Sequence, residues 1–186
     1  MSINDRIERD VFIAADAARV WAVLTEPEHI GMWFGNGEPG EIDLRPGGRI
    51  VFDHGDQGKL PAIIEHIDEC KSLSFRWAAD DAGGGEPTRP SATLVEFTLT
   101  PEGAGTRLRV VERGFSKVEA EDPAVIERRY KANAGGWGTA IRGLAAYLER
   151  PDGDEFEESR HDDIGGAGHD VVEEAGGAVL EEVDAV

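Results

Sequence analysis

Apolar and polar residues alternate with a period of two through most of the chain's first two thirds, and recur near every third or fourth position in one long stretch after it. Ile7, Val11 and Ile13, set among charged residues, predict a first strand over Asp5–Ile13 with one buried face. Asp16 reads as a helix cap, and Val20, Trp21, Val23 and Leu24 suit a short helix from Ala17 that stops near Pro27. A second turn runs through His29 and Ile30, and Gly31-Met32-Trp33-Phe34-Gly35 reads as an aromatic loop. Further strands follow, because Ile50, Phe52 and His54 share one face, as do Ala62, Ile64 and His66. Leu73, Phe75 and Trp77 alternate with Ser72, Ser74 and Arg76, Val95, Phe97 and Leu99 alternate with Glu96 and Thr98, and Leu108 and Val110 oppose Arg107 and Arg109.

Turn signals at Pro46-Gly47-Gly48, Gly55-Asp56, Asp68-Glu69 and Glu102-Gly103 separate these strands as an antiparallel meander requires. The long connection Ala79–Pro90, with three consecutive glycines, is too polar for a core and is expected as a mobile loop at a cup mouth. From Asp122 to Glu149 the apolar residues Ile126, Tyr130, Ala134, Trp137, Ile141, Leu144 and Leu148 form the stripe of a long amphipathic helix. Strand, two short helices, about six strands and a long helix, with no crossover helices, predict an α+β fold in which the long helix lies across a curved antiparallel sheet.

The segments Val11-Phe12-Ile13-Ala14-Ala15 leading into Val20-Trp21-Ala22-Val23-Leu24-Thr25, then Trp33-Phe34, Gly47-Gly48-Arg49-Ile50, Gly136-Trp137, Leu144 and Tyr147-Leu148, carry a resemblance. Taken in order, they resemble the SRPBCC superfamily, also called the START or birch-pollen-allergen fold. The nearest likeness is to bacterial members related to the C-terminal domain of the activator of the ninety-kilodalton heat-shock chaperone's ATPase. The resemblance covers Ile7 to Arg150 and implies a helix-grip fold with an internal cavity. Such proteins bind apolar small molecules, act as cyclases or dehydrases, or assist chaperones, so the implied fold does not by itself name a reaction.

Charge changes the picture at the C-terminus. Residues 151–186 hold 13 of the 38 acidic residues and one of the 19 basic ones. With six glycines and no Trp or Tyr, this segment is expected as a disordered acidic tail on a helix-grip domain at 1–150. A net charge of -19 opposes nucleic acid and anionic membrane as partners. No apolar run is long enough to span a bilayer, so a cytoplasmic location is expected. Fifteen Arg against four Lys matches a salt-adapted cytoplasm, and a GC-rich genome gives the same bias. A single cysteine, Cys70, leaves no internal disulfide and no cysteine-based zinc site.

Candidate chemistry is sparse. Gly35-Asn36-Gly37-Glu38-Pro39-Gly40 matches a dinucleotide fingerprint in letters only, since Pro39 interrupts it and its glutamate and Glu41 repel a pyrophosphate. His161-Asp162-Asp163 and His169-Asp170 offer metal-ligand types without a supporting shell, so no metal and no cofactor are expected. His54 and His66 end apolar strand faces, where an imidazole can offer one donor or acceptor to a ligand. No nucleophile motif accompanies them, which favours binding over catalysis.

The expected function is therefore nonenzymatic binding or sensing of a small apolar or amphipathic molecule, lined by Trp33, Phe34, Phe52, His54, His66, Phe75, Trp77, Phe97, Tyr130 and Trp137. A chaperone-associated module and a cyclase- or dehydrase-type enzyme are the alternatives. Gly135, Gly136 and Gly138 around Trp137 cost helix stability, offset either by close packing on the sheet or by a bend that admits ligand. In the second case Trp137 borders the cavity, and its truncation to Ala costs below about 3 kcal/mol.

Overall fold

The computed structural model describes residues 5–78, 87, 91–119 and 122–150. The loop expected at 79–90 lies, apart from residue 87, outside the described residues, as does the tail expected at 151–186 with its His161 and His169.

The alternating segments pair into one antiparallel sheet of seven strands, in the order β1-β7-β6-β5-β4-β3-β2. They span Arg6–Ile13 (β1), Glu41–Ile42 (β2), Arg49–Asp53 (β3), Lys59–Asp68 (β4), Ser72–Ala78 (β5), Ala92–Glu102 (β6) and Gly105–Arg113 (β7). Two short helices, Ala17–Thr25 (α1) and Pro27–Phe34 (α2), follow β1, and the long helix Pro123–Leu148 (α3) closes the chain's described part. This is the helix-grip α+β arrangement that the alternation and the helical stripe predict.

Each helix start has a local cause. Asp16 caps α1 by accepting from the Arg19 backbone N–H at 2.8 Å, and Asp122 caps α3 by accepting from Ala124 N–H at 2.9 Å. Pro27 opens α2 at its first turn, where a missing N–H costs nothing. For that reason the stretch read as an aromatic loop is helical as far as Phe34. Gly31 allows the chain after α2 to turn back closely: a Cβ there would sit 1.7 Å from the Glu38 carbonyl oxygen. The hydrogen bond from Gly37 N–H to the Gly31 carbonyl, 3.0 Å, ties the same return.

The core lies between the inward sheet face and the three helices. It takes Ile7 and Ile13 from β1, Val20, Leu24, Ile30 and Trp33 from α1 and α2, Ile50, Phe52, Ile64, Leu73, Phe75, Val95, Phe97, Leu108 and Val110 from the sheet, and Ile126, Trp137, Ile141, Leu144 and Leu148 from α3. Burying such side chains contributes roughly 1.5–3 kcal/mol each before entropy is counted.

One register detail overturns part of the expected pattern. The pairing of β4 with β5 shifts between Ile64, opposite Phe75, and His66, opposite Ser74. The irregularity places Ile67, not His66, opposite buried Leu73, and His66 is exposed. A bulge adds one residue and so reverses which face the following positions occupy.

Candidate functional site

Glu112 continues the inward series Leu108, Val110 on β7 and is completely buried, with 0% of its surface exposed. It lies opposite Ile7 of β1 and Val95 of β6. A carboxylate in such a place is tolerable only if its lone pairs are occupied. Four neutral side chains donate to it. Trp77 Nε1 (2.9 Å), Thr93 Oγ1 (2.6 Å) and Asn133 Nδ2 (3.0 Å) reach Oε1, while Trp137 Nε1 (2.7 Å) and Asn133 Nδ2 (3.1 Å) reach Oε2. Glu112 thereby joins β5, β6 and β7 to α3 through one side chain.

The indole rings held by this carboxylate form a stacked group with Phe34 at the end of α2. Ring centroids are 5.2 Å apart for Trp77 and Trp137, 5.6 Å for Phe34 and Trp137, and 5.7 Å for Phe34 and Trp77, with interplanar angles of 24°, 7° and 29°. Phe34 also meets Phe52 and His54 edge to face, at 5.0 and 5.2 Å. His54 follows the end of β3 and is half-buried; desolvation lowers its pKa below the usual 6.5, against a weaker opposing pull from Asp53.

Beside this group is a pocket of about 370 Å³, lined by Phe34, Leu60, Trp77 and Ala78 on its apolar part and by His54, Gln57, Lys59, Arg129 and Asn133 on its polar part. Its volume falls in the usual range for small-molecule sites. Arg129 and Asn133 sit one turn apart on α3 and so share a helix face.

Of the residues singled out from the sequence, Phe34, His54 and Trp77 line this pocket. Trp33 is buried elsewhere in the core, donating from Nε1 to the Val23 carbonyl at 2.9 Å with its ring edge-on to Phe97. Phe52, Phe75 and Phe97 are 1–2% exposed and pack as core behind the pocket wall. Tyr130 lies against Phe115, its hydroxyl donating to the Arg6 carbonyl at 3.2 Å, and is not part of the pocket lining. His66 is on the other sheet face. Trp137, expected at the cavity edge, is 2% exposed and stacks behind the lining residues Phe34 and Trp77 without itself being part of the described lining.

Gly135 and Gly136 serve neither expected purpose. Both are exposed, an added Cβ at either would meet nothing within 4 Å, and α3 runs unbroken through them.

Sequence reasoning missed Glu112 as an inward residue, together with Thr93 and Asn133. The signal was present for two of them: Glu112 falls two residues after Val110, and Thr93 two before Val95, so each continues an apolar face. Asn133 carries no such mark.

The model of the family described as Activator of Hsp90 ATPase homolog 1-like protein matches residues 14–149. No curated protein matches the sequence. Among solved structures the chain is similar to protein MLL2253 from Mesorhizobium loti, at 24% identity and TM-score 0.62, over 79% of this chain and 98% of that one. It is similar also to Aha1 from Colwellia psychrerythraea, solved as a dimer, at 17% identity and TM-score 0.60, over 80% and 98%. DynU16, from the dynemicin biosynthetic locus, matches at 23% identity and TM-score 0.60 over 78% of this chain, which spans 48% of DynU16. At these identities the structures speak for a shared fold.

Proposed function

The chain belongs to the Activator of Hsp90 ATPase homolog 1-like family, within the SRPBCC superfamily, and on that premise we propose that it binds a small amphipathic molecule without transforming it. The family and fold support a ligand-binding or polyketide cyclase-like domain. The observation that carries the finer reading is the pocket between α3 and the β3–β5 end of the sheet, where Phe34 and Trp77 present ring surface and five polar side chains ring the rest. Rigid aromatic walls with a few placed polar groups are how small-molecule sites combine affinity with orientation.

Binding is favoured over catalysis because the buried carboxylate is not in the pocket lining. Glu112 is enclosed by the donors that hold it, and a substrate in the pocket would meet Trp77 and Asn133 first. His54 is the imidazole among the lining residues, and its ring is set against Phe34.

Native mass spectrometry of the protein purified from its own host tests this reading. A copurifying mass of small-molecule size, with tryptophan fluorescence that shifts when the stripped protein is given the ligand back, is the expected result. Protein that is mass-homogeneous and spectrally unresponsive to a broad panel of apolar and amphipathic compounds overturns it.

Family membership supports a second reading, a chaperone-docking module. In that case a purified chaperone middle domain binds with no small ligand present, and filling the pocket by Ala78→Leu leaves this binding unchanged.

A further inference from the structure

The charged side chains among the described lining residues of the pocket are both basic. Acidic residues outnumber basic ones 38 to 19 in the whole chain and 25 to 18 within residues 1–150. Among the described residues the lining contains Lys59 and Arg129 and no Asp or Glu. Beside apolar walls, a guanidinium and an ammonium offer an anionic group charge-assisted hydrogen bonds.

We propose that the ligand is an amphipathic carboxylic acid, its carboxylate held by Arg129 with Lys59 and its apolar body laid against Phe34, Leu60 and Trp77. The inference rests on the binding function proposed above and specifies its ligand class. A guanidinium presents a planar fork that matches a carboxylate's two oxygens, which makes Arg129 the principal contact. Arg129 is already partnered in the structure, so an incoming carboxylate shares or displaces that interaction. Lys59 is shared with Glu41 at 3.3 Å and Asp53 at 3.5 Å, and these acids favour its charged form. Its contribution to an incoming anion is accordingly the smaller.

Asn133 adds orientation. Its Nδ2 donates to both oxygens of Glu112, and a carboxylate accepts only, which fixes the amide's polarity. Oδ1 is then the amide's acceptor, suited to a ligand hydroxyl and repelled by a carboxylate. The acid group is thereby directed to the Arg129 and Lys59 side of the pocket.

Calorimetric titration of the full chain with two matched pairs tests this: 1-naphthaleneacetate against 1-naphthaleneacetamide, and decanoate against decanol. Each acid is expected to bind at least tenfold tighter than its neutral partner. Arg129→Gln should remove that advantage while changing affinity for the neutral compounds by less than threefold, and Lys59→Gln should reduce it in part. Equal affinity for acid and neutral partner, or an Arg129→Gln loss common to both, overturns the carboxylate assignment and leaves the binding function standing. Failure of all four compounds to bind counts against both.

Discussion

Trp137 of α3 and Glu112 of β7 meet across the helix–sheet interface in a 2.7 Å hydrogen bond, with both side chains essentially out of solvent. The helix is thus fastened to the sheet by a polar contact at the centre of an apolar face. A buried donor or acceptor left unpaired costs about 1–3 kcal/mol, more for charged groups, so this contact penalises any displacement of α3.

Glu112→Gln keeps the size of the side chain and replaces one acceptor oxygen with a donor. Trp77, Thr93, Asn133 and Trp137 all present hydrogens toward the site, so at least one donor must face the new amide. Chemical denaturation should show a loss of about 2–4 kcal/mol. A variant as stable as wild type would show that the carboxylate does not hold this cluster together.

Trp137→Ala removes a ring packed between Trp77, Phe34 and Phe97, and it also removes a donor to Glu112. The expected cost is at least about 3 kcal/mol. This replaces the smaller loss expected for a ring at a cavity edge, and urea unfolding distinguishes the two.

Gly135→Ala and Gly136→Ala place a methyl group in open space on an exposed helix face. Each should stabilise the protein by about 0.5–1 kcal/mol, because alanine loses less backbone entropy on entering a helix. A thermal melt in which either substitution lowers the midpoint would show that the helix needs these glycines.

His54 is a base whose pKa is lowered by folding, so its neutral form is the one the native state accommodates. Below the ordinary value of 6.5 the unfolded chain takes up a proton that the folded chain resists. The stability that the neutral ring provides is complete above pH 6.5 and is lost as pH falls from there through the folded-state value. Relative to His54→Gln, the wild type should therefore weaken on acidification from pH 7 to pH 5; parallel curves for the two proteins would refute it.

Much of this protein was determined by the sequence on its own terms. Alternation in Leu73–Trp77 and Val95–Leu99 and the stripe from Ile126 to Leu148 are local periodicities, and each commits a segment to strand or helix before any partner is chosen. Their order was enough for the α+β class and the helix-grip arrangement. What tertiary structure alone decided was which inward residues enclose the pocket. Phe34, Phe52, Trp77 and Phe97 look alike as apolar positions, yet Phe34 and Trp77 end at the pocket while Phe52 and Phe97 end in solid core. A bulge at Ile64–His66 reversed a face that periodicity had assigned, and the donors to Glu112 come from positions as far apart as Trp77 and Trp137. Period reports which face a residue takes; only the packing of remote segments sets what it meets there, because that contact energy has no local counterpart in the chain.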